Sequence, residues 1–394
     1  MTRPDLCRGG VDPRPFEFEV GGGKPLPYVF LVLLLVFTPR LVSADETIRV
    51  AIFQNVESVT VASSAGLLVQ APNDTVDSNG QVTVGAGASG LIVDGQRLRS
   101  DRLDVRGRDG ELTVNGLTVG GRVIVKRQNG KLLAINALPL EDYVKGVVPS
   151  EMSTAWHPEA LKAQAIAART YGLYQIRRNG KKDFDVAATV KDQVYQYRGR
   201  ATASGQAARA VDETRDLVLA YRDEPIFAAY FSTSAGQTED ALNVWGFDLP
   251  YLKSVECPFD LNSPWYQWRT DVGLPTLEQR LREEGFRVGV IASLAPAFPS
   301  RTGRVTSVRI LHSDGVLYVR GDELRRVLML ASTKFDFDIV GMQVQFTGRG
   351  SGHGVGMCQW GAKELAEKGY SAETILRYYY SGADIRDLDS LPRR

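Results

Sequence analysis

Five dipeptides between residues 79 and 130 pair Asn or Asp with Gly: Asn79-Gly80, Asp94-Gly95, Asp109-Gly110, Asn115-Gly116 and Asn129-Gly130. Such pairs tolerate the positive φ that tight hairpins demand, and they constrain the fold more than any other feature of the chain. The runs around them suit strands. Ile48-Arg49-Val50-Ala51-Ile52, Val59-Thr60-Val61 and Val82-Thr83-Val84 alternate in polarity, and Arg122-Val123-Ile124-Val125 and Lys131-Leu132-Leu133-Ala134-Ile135 are apolar-rich. Residues 45–130 therefore read as a β-rich module, a meander or small barrel. It carries no titratable cluster that looks chemical, so packing or binding is its expected task.

The period changes at Leu138. Helical spacing begins there and runs to about Arg178. Pro158 suits a first helical turn, where its missing N–H would be unpaired anyway. Leu161, Ala165, Ala168 and Leu173 form an apolar stripe, and Asn179-Gly180 ends the segment. A second β-rich stretch follows, at 217–221, 226–230, 305–310 and 317–319. A short charged helix over 277–284 reads as an insertion or cover. Two closing helices are expected over 359–367 and 372–380, the latter capped by Ser371. The fold class is α+β.

Composition excludes several functions. With 47 Lys and Arg against 46 Asp and Glu, the chain offers no large polyanion-binding surface, so nucleic acid is not an expected partner. Three Cys cannot build a four-Cys zinc site, and His157, His312 and His353 are far apart in sequence. Length suggests two or three domains. The run Tyr28 to Phe37 is ten apolar residues, too short for a bilayer span of about 20 residues. Arg3, Arg8, Arg14 and Lys24 precede it and Ala44 closes it, the pattern of a secretory signal peptide over 1–44. An uncleaved anchor is the alternative. Cleavage leaves 42 basic and 42 acidic residues, and of the cysteines only Cys257 and Cys358. The expected location is the periplasm, envelope or exterior, with no membrane span after cleavage. Such a compartment is oxidising, and the sequence leaves open whether those two cysteines pair.

Three segments could carry chemistry. In Val147-Val148-Pro149-Ser150-Glu151-Met152, Glu151 lies among apolar residues, where partial desolvation raises a carboxyl pKa as a general acid needs. Lys162 and Arg169 are seven apart and share a helix face; with Gln164 and Tyr171 they could orient Glu151 or hold a polar substrate, or form a solvated face. Positive charge there would pull the Glu151 pKa down. The segment 231–239, with Ser234 and Gly236, suits a loop offering hydroxyls and N–H groups, or a capped turn. The segment 348–362 places five Gly around His353 and ends at a helix start. His353 and Cys358 invite a thiol-nucleophile reading, against that of a buried apolar Cys.

Three blocks resemble a known family. Gly146 to Tyr171 (GVVPSEM, then PEALKAQAIAARTY), Tyr230 to Asp260 and Gly348 to Ile385 are similar, in order, to the stage II sporulation protein D family (SpoIID/LytB). The resemblance covers about 130–386. It implies a SpoIID-type catalytic region over 131–386 that forms a cleft, following the β module and preceding a tail over 387–394. It implies a peptidoglycan lytic transglycosylase that cleaves the MurNAc–GlcNAc bond, with Glu151 as the catalytic residue. By the same carry-over Lys162, Gln164, Arg169, Tyr171, Ser234, Gly236, His353, Gly354 and Gln359 would line or support the cleft. Glycan strands are the implied partner, and the family also covers enhancers of a cell-wall amidase, a second candidate role without turnover. A purely structural wall-binding protein and a Cys358-dependent amidase are further rivals. Some members bind zinc through His and Cys after the long helix; the matching stretch, 185–195, has neither, so no metal or cofactor is expected. The last block commonly carries Ser where this chain has Cys358.

Overall fold

The computed structural model describes residues 46–72, 74–78, 80–189, 192–197 and 205–392. The expected signal peptide and Asn79 lie outside the described residues. An 11-stranded sheet dominates the N-terminal part. Its inner faces follow the alternation in the sequence: Val59 opposes Val84 and Val61 opposes Val82, all four buried. Asp94-Gly95, Asn115-Gly116 and Asn129-Gly130 take positive φ at both positions, as tight hairpins require. Asp109-Gly110 does not turn the chain. It sits inside the single strand Arg102–Val114, where the register slips between Arg106 and Glu111. The Asp109 carboxylate accepts from the Glu111 N–H and the Ser63 hydroxyl, so its turn chemistry is used on a bulge.

The boundary expected near residue 130 runs through this sheet. Strand Lys131–Pro139 pairs on one side with Leu117–Gln128 and on the other with the first strand, Thr47–Val56. Thr47–Val56 also pairs, in parallel, with Val186–Ala187. The β module and the helical region are thereby joined through shared strands.

The helical segment is two helices. α1 spans Leu140–Glu151 and α2 spans Pro158–Asn179. Pro158 is the first residue of α2, and the His157 side chain caps it by accepting from the Glu159 N–H. α2 is buried on nearly all sides rather than along one stripe. Around it pack α3 (Gln206–Glu213), strand Leu217–Tyr221, and the C-terminal helices. Residues 226–229, expected as strand, are irregular; only Tyr230–Phe231 pairs, in parallel with Met357–Cys358. A short α4 (Ala241–Trp245) follows.

Residues 268–348 carry a second core. Strands Trp268–Gly273, Gln343–Gly348 and Phe335–Val340 form one sheet, and Ile291–Pro299, Val305–His312 and Gly315–Arg320 form another. α5 (Leu274–Glu283) and α6 (Gly321–Leu328) close it around Leu277, Leu281, Val308, Ile310 and Leu324. The expected short charged helix is thus one element of a larger insertion. α7 (Gln359–Glu367) and α8 (Ala372–Tyr379) match the two expected closing helices, and Ser371 caps α8 by accepting from the Thr374 N–H. Strand Asp384–Asp387 pairs with Leu217–Tyr221, and Leu391 is buried, so the last residues described are packed. Among the described residues no helix is long and apolar enough to cross a membrane.

Candidate active site

Glu151 is the last residue of α1, and no basic residue occupies that last turn. The helix runs on to this point because Leu140, Tyr143, Val144, Val147 and Val148 are buried one turn apart. The carboxyl is half-buried. Desolvation raises its pKa above the usual carboxylate value, and its place at the negative end of the helix dipole acts the same way. Two neutral donors oppose the shift without reversing it: the Val194 N–H, 2.8 Å from Oε1, and the Gln359 amide, 3.4 Å from Oε2.

Both donors come from far along the chain. Gln359 opens α7 immediately after Cys358, which caps that helix through its sulfur. Val194 lies in the segment after α2. Asp192 anchors that segment, accepting from the Tyr171 hydroxyl and the Ala187 N–H, both at 2.8 Å. Both oxygens of this second carboxylate are therefore engaged. Gln193 is buried between two phenols: it accepts from Tyr143 and donates to Tyr230, each at 2.8 Å. Burial raises both tyrosine pKa values, and the nearby Glu151 charge adds to this, so both phenols remain neutral.

Gln164, on α2, accepts from the Gln359 amide at 3.4 Å. Its own amide nitrogen is buried without a hydrogen-bond partner. Glu151, Gln164 and Gln359 are thus brought together, with Tyr171 holding the Val194 segment in place. Removing the Gln359 amide removes one interaction that favours the ionised carboxyl. Gln359→Ala is expected to shift the alkaline limb of the Glu151-dependent pH–rate profile to higher pH, a shift that a merely structural role would not produce.

The other expected residues stand elsewhere. Lys162 pairs with Glu159 at 3.0 Å and with Glu213 at 2.8 Å. Arg169 is fully buried and clamps Glu141 through Nε at 2.6 Å and Nη2 at 2.8 Å. Both cations are engaged by other carboxylates, and the groups that lower the Glu151 pKa are the Val194 N–H and Gln359 instead. The Ser234 hydroxyl donates to Asp260 at 2.8 Å and is buried, which leaves no exposed nucleophile there. Gly236 has φ +101° in the short pairing with Cys257. A Cβ at Gly354 would stand 2.5 Å from Arg304 Cζ, so this glycine makes room for a buried side chain. His353 packs between Trp245 and Phe231, at 5.0 and 5.5 Å between ring centres. Its Nδ1 accepts from the Val355 N–H, and burial followed by the Arg325 charge lowers its pKa, so the imidazole is neutral. Cys358 donates to the Ser232 carbonyl and the Asp260 carboxylate, is fully buried, and has its thiol pKa pushed up by that burial. A Cys358–His353 nucleophile pair does not form.

Sequence reasoning missed Gln193, Val194 and Tyr230, which reach the site only through tertiary packing. It also missed an aromatic strip beside His353. Tyr171, Phe227 and Trp245 follow one another at 5.5 and 5.2 Å, and Trp245 stacks on Phe247 at 5.9 Å with planes 16° apart. An open cleft is lined by Glu239, Asn243, Arg304 and Arg320; Glu151 is not among its walls.

Known proteins match this chain in the same regions. A family model described as stage II sporulation protein matches residues 128–221, and one described as a domain of unknown function, DUF8618, matches 251–356. An uncharacterized protein of Brachyspira hyodysenteriae is 36% identical over 315 residues, 79% of this chain and 83% of the relative. Stage II sporulation protein D of Bacillus amyloliquefaciens is 36% identical over 273 residues, 65% of this chain and 77% of the relative. The amidase enhancer of Bacillus subtilis is 31% identical over 292 residues, 61% of this chain and 40% of the relative.

Proposed function

The chain belongs to the stage II sporulation protein D family, and from that premise we propose that it is a peptidoglycan lytic transglycosylase in which Glu151 serves as both acid and base. Relatives that carry the names stage II sporulation protein D and amidase enhancer support a role at the cell wall. The observation that carries the finer reading is the Glu151 carboxyl: half-buried, raised in pKa, and held, among the described residues, by uncharged donors.

That environment suits one group working in two steps. Protonated Glu151 gives its proton to the glycosidic oxygen between MurNAc and GlcNAc as the C–O bond breaks. The resulting carboxylate, now held by the Val194 N–H and the Gln359 amide, takes the proton from the sugar's own C6 hydroxyl. That oxygen closes on C1 and leaves a 1,6-anhydro end. No water enters, so the second carboxylate of hydrolytic glycosidases has no task. The engaged state of Asp192 is consistent with this. Partly buried Trp245 and exposed Phe247 offer ring faces for sugar stacking.

The test is to incubate the protein with glycan strands stripped of stem peptides and to identify products by mass spectrometry. Anhydro-ended fragments are expected; reducing ends without anhydro sugar would reject the mechanism. Stimulation of an added cell-wall amidase with no glycan product would instead favour an enhancer, the reading suggested by the relative of that name. The pH dependence has a fixed sign. Glu151 must begin protonated, and its folded pKa is raised, so cleavage falls as pH rises through that value. The measurement is kcat/KM against pH, and a rate that rises across that limb would count against Glu151 as the acid.

A further inference from the structure

Outside the Glu151 site, three potential metal ligands converge inside the protein. Cys257 and Cys358 Sγ and a carboxylate oxygen of Asp260 lie within 4.8 Å of one another, and all three residues are fully buried. The two oxygens of Asp260 are treated very differently. Oδ2 accepts from the Ser234 N–H at 2.6 Å, the Ser234 hydroxyl and the Ala235 N–H at 2.8 Å, and the Cys358 thiol at 3.4 Å. Oδ1, equally buried, has no hydrogen-bond partner among the described residues. A buried carboxylate oxygen without a donor is costly, on the order of 1–3 kcal/mol or more, and calls for an explanation.

We propose that Cys257, Cys358 and Asp260 form a structural binding site for one zinc ion. Two thiolates and a carboxylate are a borderline-soft donor set that suits tetrahedral zinc, with metal–sulfur bonds of about 2.3 Å and metal–oxygen bonds of about 2.0–2.2 Å. Donors around such an ion stand about 3.5–3.8 Å apart. Cys358 Sγ stands 3.4 Å from Asp260 Oδ2, on the same carboxylate as the unpartnered Oδ1, and the 4.8 Å limit on the three ligand atoms requires only a modest contraction. The Tyr379 hydroxyl, 3.2 Å from Cys257 Sγ, is a candidate for a fourth position. Binding forms two Zn–S bonds and one Zn–O bond and releases the two thiol protons to solvent. No electron moves, and the buried charge is unchanged. That matters here, because Arg304 is buried against the same loop with Nη2 on the Ser234 carbonyl at 3.3 Å. Gly361 is required by the same crowding: a Cβ there would stand 2.7 Å from Cys257 Sγ and against the Tyr379 hydroxyl.

The site would join strand Met357–Cys358, strand Glu256–Cys257 and the start of α7, and so brace the residue after Cys358, Gln359, against Glu151. It does not depend on what Glu151 catalyses. A disulfide between the two cysteines is the rival occupant of the same space, but it leaves Asp260 Oδ1 without a partner.

The experiment uses the full chain with Cys7→Ser, so that only the two buried thiols remain. Because the ligands are buried, the reduced protein is unfolded and refolded with cobalt(II) alone or zinc(II) alone. Expected are thiolate-to-cobalt charge-transfer absorption with tetrahedral ligand-field bands, about one zinc per chain, and a Tm raised by about 5 °C or more. Asp260→Asn is expected to weaken the ligand-field bands, and Cys257→Ser to lose about half of the charge-transfer intensity. Absence of thiolate–cobalt absorption in the refolded parent chain overturns the proposal without reference to any variant. So does protein isolated without reductant that is lighter by two hydrogens, unreactive to thiol reagents when unfolded, and free of zinc.

Discussion

If Glu151 is the acid–base proposed above, Glu151→Gln is expected to lower glycan cleavage by about 10²–10⁴-fold, the usual contribution of a positioned general acid–base group. The substitution keeps the shape and leaves an oxygen to accept from Val194, but it can neither give the first proton nor take the second. Both proposed steps would stop together, so kcat is expected to fall while binding of intact strands is retained. Loss by unfolding is separable through the sign of the pKa shift. Glu151 has a folded pKa raised above its unfolded value. The stability this group contributes is fully present below the unfolded carboxyl pKa, about 4.3, and is lost as pH rises through the folded value. At neutral pH the native protein therefore carries the cost of an ionised, half-buried carboxylate that the amide does not. Glu151→Gln is expected to melt no lower than the parent at pH 7, with any difference shrinking as the pH falls below 4. Undiminished release of anhydro-ended fragments by Glu151→Gln would show that another group supplies the proton.

What the sequence disclosed and what it hid have different physical origins. The strands Thr47–Val56 and Ser58–Ala62 were legible because one face is buried and the other is not, which writes alternation into the residues. The start of α2 was legible because Pro158 can act only locally. Asp109-Gly110 misled because the positive φ it favours serves a bulge as well as a turn. Lys162 and Arg169 do share a helix face, as their spacing dictates. That face meets α3 and the strand Leu217–Tyr221 rather than a cleft, and spacing carries no information about the partner across it. Glu151 stood out for its apolar neighbours. Of its hydrogen-bond donors, Gln359 was reached only through the family resemblance and Val194 not at all, because they lie 208 and 43 residues away and only packing brings them to Glu151.

Arg169→Ala is expected to destabilise the fold by about 3–5 kcal/mol, a large share of the roughly 5–15 kcal/mol that holds a domain together. The guanidinium is fully buried, donates twice to Glu141, and also serves the carbonyls of Leu217 at 3.1 Å and Val211 at 3.2 Å. Truncation leaves Glu141 charged in a dry place and two carbonyls without their donor, and it opens a cavity within the α1–α2–α3 packing. Arg169→Lys cannot restore the planar two-point contact and should recover only part of the loss. Replacing both partners by apolar residues, Arg169→Met with Glu141→Leu, removes the stranded charge and should recover more than either single change. Lys162→Ala is the control: its pairs with Glu159 and Glu213 are solvent-accessible and are worth about 1 kcal/mol or less. Denaturant unfolding of the four variants reads these differences as midpoint shifts at constant m. The same series separates two roles for the arginine of the family's first block. If Arg169 braces α2 so that Tyr171 and Gln164 reach the Val194 segment and Gln359, activity per folded molecule in Arg169→Lys stays near that of the parent. A variant that remains as stable as the parent yet shows a raised KM would instead place Arg169 in contact with the glycan, at odds with a side chain buried on Glu141.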